Sequence, residues 1–277
     1  MMSSLIDGQR ADSISVYDEG LLRGDGCFEA IRSYGGMPFA FADHFQRLTR
    51  SAAALEIPCP PEADLRAWVD ELAEEGDECI VRVVLTRGLG TSGRCIVLWQ
   101  PVPAPASALR LLPVDAPWHP GGHPWELSGA KTISYAPNMA ASRLARSKDF
   151  DDALLISREG FVLEGPTFTV AWFRKGTIEI PSLDLGILDS VTSRQLLSAA
   201  AAQGMTIVRG RFRLDALAEA TEVVALSTLK EVSPVTAVGE SDFAPGAFSE
   251  SLALLYRGLV EAETKQKGAN LSSHPFV

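Results

Sequence analysis

Lys131 stands in surroundings that could suit an amine nucleophile. It lies in Gly129-Ala130-Lys131-Thr132-Ile133-Ser134-Tyr135, with no charged residue close to it in the sequence. An amine that loses solvent has a lower pKa, and a lysine in that state can form a Schiff base with a carbonyl compound. The alternative is a surface lysine whose stem lies along apolar neighbours. This segment alone leaves both interpretations open.

Glu164 could act on an aromatic ring. It ends the segment Gly160-Phe161-Val162-Leu163-Glu164, in which a glycine turn leads into an apolar stretch. A carboxylate against a ring nitrogen keeps that nitrogen protonated, so that the ring accepts electrons. The alternative is an exposed glutamate at the end of a strand.

Hydroxyl residues at the ends of two predicted elements could bind an anion such as phosphate. Ser190-Val191-Thr192 begins a predicted helix, whose first N–H groups can bind an anion. Ser227-Thr228 follows the apolar strand pattern of residues 223–226 and adds two hydroxyls. Ordinary capping is the alternative use of Ser and Thr at both places.

Composition excludes several classes of function. A formal net charge of -10 on 277 residues disfavours binding to nucleic acid and to anionic membranes. No apolar run approaches the length of a membrane span, and the four scattered cysteines are typical of free thiols, so we expect a cytoplasmic protein. His119 and His123 lie among prolines and glycines, where solvated histidines are expected, and we assign no metal.

The first half of the chain predicts a strand hairpin, two helices and two further strands. Residues 27–34 and 38–41 form the hairpin around Gly35-Gly36. A helix follows with Asp43 as its N-cap, and a second helix runs from Pro60-Pro61 to Gly76. Residues 79–86 and 95–99 are apolar strands, whereas residues 18–26 are read as a polar surface loop.

The alternating prolines of residues 101–106 place a domain boundary between residues 1–103 and 108–277. Beyond it we expect strands at residues 109–114, 153–156 and 168–173, with helices beginning near Asp189 and spanning residues 248–263. Helices do not alternate regularly with strands. The pattern therefore favours an α+β fold with mixed sheets.

Taken in order, these segments resemble the class IV aminotransferases, the fold-type IV pyridoxal-phosphate enzymes, over most of the chain. This family includes branched-chain and D-amino-acid aminotransferases and aminodeoxychorismate lyase. The matching segments are the N-terminal signature at residues 24–32, the helix signature of His44, Arg47, Leu48 and Ser51, Lys131 to Tyr135 with Asn138, residues 151–155, and Glu164-Gly165.

The resemblance implies a homodimer of two-domain subunits, each with a barrel-like C-terminal domain of mixed sheets and flanking helices. It implies pyridoxal 5'-phosphate as the cofactor, with Lys131 as its covalent partner and proton carrier. Glu164 would bind the ring nitrogen and Tyr135 would lie near the phenolic oxygen. The phosphate would be held by Arg47, Val191, Thr192, Ser227 and Thr228. The substrate pocket would include Phe28, Arg32 and the backbone of Leu229.

The activity implied is amino transfer between an amino acid, branched-chain-like or D-configured, and a 2-oxo acid. Glu29 favours this activity over the alternative, aminodeoxychorismate lyase, because aminotransferases of the family commonly carry an acid there. The chain departs from the family at Thr169, where asparagine is usual, and at Ser193, which displaces Arg194. Those departures motivate a third interpretation, a non-catalytic binding protein.

Overall fold

The computed structural model describes residues 3–90, 92–104 and 108–272, and its contacts divide into two units. The first unit combines Met1–Pro103 with Ala130–Ser134 and Gly258–Val277. The second unit combines Ala104–Gly129 with Tyr135–Arg257. These units are clusters of contacts rather than pieces known to fold separately. The domain boundary drawn from the sequence therefore stays a prediction.

The first unit is built on a six-stranded sheet of order β2-β1-β6-β5-β3-β4, in which every neighbouring pair is antiparallel. Its elements in chain order are β1 (Ser4–Ile6), β2 (Gln9–Arg10), α1 (Glu19–Arg23), β3 (Gly26–Tyr34), β4 (Met37–Pro38), α2 (Phe41–Ala54), α3 (Glu62–Ala73), β5 (Glu78–Thr86) and β6 (Arg94–Gln100). The predicted hairpin, both helices and both strands are confirmed.

Two details of the first unit differ from the sequence-based expectation. Helix α2 begins at Phe41 after Ala40, whose φ of 53° lies in the left-handed region, so Asp43 is not its N-cap. Asp43 instead lies in the first turn, where a carboxylate complements the helix dipole. The loop predicted at residues 18–26 contains helix α1, because the Asp18 carboxylate accepts from the Gly20 amide and caps it.

Alternation along β3 separates two sets of side chains. Cys27 and Ile31 are buried in the core that includes Leu48 of α2 and Leu72 of α3. Side chains at even positions, such as Phe28, point to the other face of the sheet. Strand β3 therefore presents one set of residues to the helices and a second set to the opposite face.

The second unit is built on an eight-stranded mixed sheet of order β11-β10-β9-β12-β13-β7-β8, with β14 beside β13. Its elements are β7 (Leu109–Asp115), α4 (Ala136–Arg146), β8 (Asp152–Ile156), β9 (Thr169–Arg174), β10 (Thr177–Pro181), α5 (Val191–Ala202), β11 (Thr206–Gly210), α6 (Leu214–Ala218), β12 (Glu222–Ser227), β13 (Glu231–Val238), β14 (Ser241–Asp242) and the part of α7 (Ala247–Ser272) that precedes Gly258. The pairs β10–β11, β13–β7 and β7–β8 are parallel, and the others are antiparallel. The mixed-sheet α+β class is confirmed.

Helix α7 is the longest helix of the described chain, and its residues from Gly258 onward cluster with the first unit. Among the described residues, no helix combines the length and the apolar character needed to cross a bilayer.

Candidate active site

Lys131 is held in the first unit by a short strand-like pairing with β3. The Phe28 amide donates to the Lys131 carbonyl at 2.9 Å, and the Ile133 amide donates to the Gly26 carbonyl at 2.9 Å. Between these bonds Cys27 lies opposite Thr132. The Lys131 amide donates to Ser51 Oγ on α2 at 3.0 Å. The backbone of the lysine is therefore fixed on both sides.

The Lys131 amine lies over an aromatic ring. Its Nζ is 4.3 Å from the centroid of the Phe28 ring, and the guanidinium carbon of Arg82 is 5.0 Å from the same centroid. Arg32 lies on this face four residues further along β3, and its Nη2 donates to Glu78 at 2.8 Å. The structure thus brings Lys131 together with Phe28 and places a second cation beside that ring. Sequence reasoning missed Arg82, although a charge inside the apolar run of β5 was a signal.

Glu29 forms a buried ion pair with Arg47 of α2, the helix whose Ser51 binds the Lys131 amide. Its carboxylate accepts from Arg47 Nε at 2.6 Å and from Nη2 at 2.7 Å, and it also contacts His44 Nδ1 at 2.8 Å. The Glu29 and Arg47 side chains are 1% and 6% exposed. From the sequence, Glu29 served only to favour an aminotransferase over a lyase, and Arg47 was predicted to bind the phosphate. The bidentate pair gives that arginine a fixed orientation.

Protonation states in this cluster follow from burial and charge. Burial alone would raise the pKa of the Glu29 carboxyl, but the charge and hydrogen bonds of Arg47 and His44 hold that pKa well below its usual range. Burial lowers the pKa of His44, and Glu29 offsets only part of that effect. Neutral His44 must therefore carry its proton on Nδ1, since an ionised carboxylate only accepts. Burial also raises the pKa of the neighbouring Cys27 thiol to about 12, so this thiol is not a nucleophile.

In the second unit, Glu164 lies in a loop beside β8. Its backbone carbonyl accepts from the Leu155 amide at 2.9 Å, and both carboxylate oxygens lie 3.3 Å from the Leu188 amide. His119 Nε2 is 3.6 Å from Glu164 Oε1, and the His119 side chain is only 10% exposed. The prediction of a solvated His119 is therefore wrong, because the side chain is largely buried and lies beside Glu164, which is distant in the sequence. His123 is 81% exposed, as expected.

The Glu164 loop is held by contacts away from position 169, where the family pattern has an asparagine and this chain has Thr169. Asn138 on α4 donates from Nδ2 to the Pro166 carbonyl at 3.3 Å and accepts from Trp118 Nε1 at 3.1 Å. The Gly165 amide donates to the Phe168 carbonyl at 2.8 Å. Thr169 itself is buried at the start of β9. Residues other than Thr169 therefore hold the loop in this chain.

Helix α5 begins three residues after the amide that contacts Glu164. Ser190 is its N-cap and accepts from the Ser193 amide at 3.2 Å, while Val191 and Thr192 are buried in the first turn. Arg194 Nη1 lies 3.2 Å from Asp189. The start of α5 therefore offers backbone N–H groups of the kind that bind anions.

The turn between β12 and β13 contains the remaining candidates. Ser227 Oγ accepts from the Lys230 amide at 3.1 Å, which is the ordinary turn use of a serine. Thr228 and Leu229 are half-buried in the same turn. Tyr135 precedes α4, and its carbonyl accepts from the Met139 amide at 2.9 Å.

The structure thus groups the candidates by unit. The first unit holds Phe28, Arg32, Arg47 and Lys131. The second unit holds Tyr135, Glu164, Val191, Thr192, Ser227, Thr228 and Leu229. Chemically, the first group offers an amine, an aromatic face and guanidinium cations. The second group offers a carboxylate, hydroxyls and the N–H groups of a helix start.

Comparison with known proteins identifies what this chain resembles. The family described as amino-transferase class IV matches residues 26–238. A Methanocaldococcus jannaschii protein provisionally named a branched-chain-amino-acid aminotransferase is 30% identical over 244 residues, 80% of this chain and 81% of that protein. The aminodeoxychorismate lyase of Bacillus subtilis is 28% identical, covering 92% of each chain. The solved structure of a hypothetical aminotransferase from Mycobacterium tuberculosis in its PLP-bound form has 26% identity and a TM-score of 0.88, over 94% of this chain and 99% of that chain.

Proposed function

This chain belongs to the class IV aminotransferase family, and we propose that it uses pyridoxal 5'-phosphate to move an amino group between an amino acid and a 2-oxo acid. The observation that carries the proposal is the fixed Lys131: its amine lies over the Phe28 ring, and its amide is bound by Ser51 of α2, the helix that also carries the buried Arg47. That arrangement presents an amine and an oriented cation on one unit.

The side-chain types proposed for the site match the chemical groups of this cofactor. Lys131 would supply the amine for the aldehyde, and Glu164 would supply the carboxylate for the ring nitrogen. A dianionic phosphate suits Arg47, the start of α5 at Val191 and Thr192, and the hydroxyls of Ser227 and Thr228. Tyr135 would donate to the phenolic oxygen. When bound, the cofactor supplies an aldehyde that condenses with amines and a ring that takes up electrons.

The roles of the chain's own residues follow from their chemistry. With the cofactor bound, Lys131 Nζ would take the proton from the α-carbon of the amino acid and deliver it to the former aldehyde carbon, on the other side of the amino nitrogen, acting as base and then as acid. Glu164 keeps a proton on the ring nitrogen. Phe28 excludes water from the face of the amine, while Arg32 and the Leu229 backbone line the substrate pocket. Arg82, on the same sheet face, adds positive charge suited to a carboxylate substrate.

Lyase chemistry is the second candidate, because one relative at 28% identity is an aminodeoxychorismate lyase. Glu29 favours transamination. A protein of this fold that binds without catalysis is the third candidate. We also propose that the chain forms a homodimer, as the family resemblance implies. The four cysteines form no disulfide, which supports the proposal of a reducing compartment such as the cytoplasm.

Half-reactions with a panel of donors separate these candidates. An aminotransferase incubated with a branched-chain L-amino acid or a D-amino acid, without acceptor, should release one oxo acid per active site and then stop. Addition of a 2-oxo acid should restart turnover. A lyase should instead release pyruvate continuously from aminodeoxychorismate. A colourless protein that gains no visible absorbance with pyridoxal 5'-phosphate would contradict both enzyme proposals, and sedimentation at the mass of one chain would contradict the dimer.

A further inference from the structure

The hydroxyl of Ser51 connects two parts of the candidate site. Ser51 is buried at 2% exposure on α2. Its Oγ donates to the Arg47 carbonyl at 3.0 Å and accepts from the Lys131 amide at 3.0 Å. A serine hydroxyl has one proton and two lone pairs. Because the helix carbonyl takes the proton, a lone pair is left pointing at the lysine segment.

The bond to Ser51 completes the fixation of Lys131. In an antiparallel pairing, residues facing each other alternate between bonded and non-bonded positions. Cys27 and Thr132 form a non-bonded position, and Phe28 bonds to the Lys131 carbonyl on one side of it. The amide of Lys131 is bound by Ser51 of α2 and not by β3. The direction in which the lysine stem leaves the backbone is set by these two contacts together.

The same helix also fixes Arg47. Residues 44, 47 and 51 lie on one face of α2, since positions three, four and seven apart share a helix face. His44 and Arg47 bind Glu29 from that face, and Ser51 binds Lys131 from it. A rigid helix therefore determines how far the arginine lies from the start of the lysine side chain. A cofactor with one rigid ring between its phosphate and its aldehyde requires such a fixed separation.

We propose that Ser51 is a positioning residue that holds the Lys131 backbone at a set distance from Arg47. This inference rests on the proposed function of Lys131 for its meaning, but the hydrogen bond can be tested without the cofactor. Ser51 touches no reacting atom, so it acts through the lysine rather than as a catalytic residue.

The test compares Ser51→Ala, Ser51→Cys and Ser51→Thr with the control Thr49→Ala. Alanine removes the acceptor, whereas cysteine keeps the volume but offers only a weak acceptor. Threonine keeps the hydroxyl and its bond to the carbonyl four residues earlier. Thr49 makes the same bond, to the Phe45 carbonyl at 3.0 Å, on the exposed side of α2. The control therefore removes an equivalent hydroxyl from the same helix.

Residue-resolved amide exchange of the cofactor-free protein is the first readout. Exchange at Lys131 should become about tenfold faster in Ser51→Ala and Ser51→Cys, the effect of losing one hydrogen bond. Exchange at Phe28 should change less than about twofold, because its own bond is retained. Ser51→Thr and Thr49→Ala should resemble the wild type. An unchanged exchange rate of the Lys131 amide in both Ser51→Ala and Ser51→Cys would overturn the proposal.

The second readout separates positioning from general damage. The rate at which pyridoxal 5'-phosphate forms a borohydride-stable adduct should fall in Ser51→Ala and Ser51→Cys. Binding of pyridoxine 5'-phosphate, which carries the phosphate but no aldehyde, should be unaffected. Equal losses in both assays would overturn the positioning role. If even the wild type forms no adduct, the proposed function fails, and the exchange experiment still decides the bond of Ser51.

Discussion

Replacing Glu29 with glutamine should destabilise the protein strongly, although the two side chains have nearly the same volume. The carboxylate is 1% exposed and accepts from two nitrogens of Arg47. Glutamine keeps one oxygen as an acceptor, but its NH₂ group faces a second donor. The substitution thus removes the carboxylate charge that the buried Arg47 guanidinium binds with two of its nitrogens.

The magnitude follows from the cost of breaking a buried ion pair. Removing one partner of a buried ion pair costs about 3–5 kcal/mol, whereas an exposed pair contributes about 1 kcal/mol or less. The melting temperature of a protein this large changes by about 2–4 °C per kcal/mol, so Glu29→Gln should lower it by about 6–20 °C. The cofactor-free protein should be used, because a bound ligand adds its own stabilisation.

Glu78→Gln is the matched control, since Glu78 also pairs with an arginine of β3 but is 53% exposed. It should lower the melting temperature by less than about 4 °C. In the double variant Glu29→Gln with Arg47→Met, neither charge of the pair remains, so its melting temperature should lie above that of Glu29→Gln alone. Equal melting temperatures for Glu29→Gln and Glu78→Gln would refute the argument from burial.

Two further predictions concern stability. The Glu222 carboxylate accepts from the amides of Gly246, Phe248 and Ser249 at the start of α7. Glu222→Gln should therefore lower the free energy of unfolding in urea by about 1–3 kcal/mol, and no measurable change would contradict this capping role. Burial lowers the pKa of His44 in the folded protein. In the unfolded chain this histidine binds a proton near the ordinary histidine pKa of about 6.5, whereas in the folded chain it stays neutral there, so the free energy of unfolding should fall as the pH drops through that value. His44→Asn should flatten this pH dependence between about pH 7 and 5.5, and an unchanged slope would contradict the assignment.

Local sequence patterns predicted the elements whose signal is local. Strands β5 and β6 have continuous apolar runs, and the β3–β4 hairpin has Gly35-Gly36 at φ 57° and 74° between its strands. Helix α1 was missed because its stability depends on a distant contact. Asp18 caps it and also accepts from Thr86 Oγ1 at 2.9 Å, which no pattern within residues 18–26 reveals.

The residues of the candidate site also divide into those that a local pattern predicted and those that depend on distant contacts. Lys131 could be singled out because its segment lacks neighbouring charges, and the ordered motifs identified the family. The partners of these residues lie far away in the sequence. His119 contacts Glu164, and Glu29 binds Arg47, through tertiary packing that composition does not encode. The prolines and glycines around His119 in the sequence therefore suggested a solvated side chain, whereas in the folded chain this side chain is only 10% exposed.

The covalent role of Lys131 is tested most directly by borohydride reduction of the protein with pyridoxal 5'-phosphate, followed by peptide mapping. The account predicts one labelled peptide containing Lys131, and no label in Lys131→Ala at unchanged circular dichroism. Label at another lysine, such as Lys230, or label retained in Lys131→Ala would contradict it.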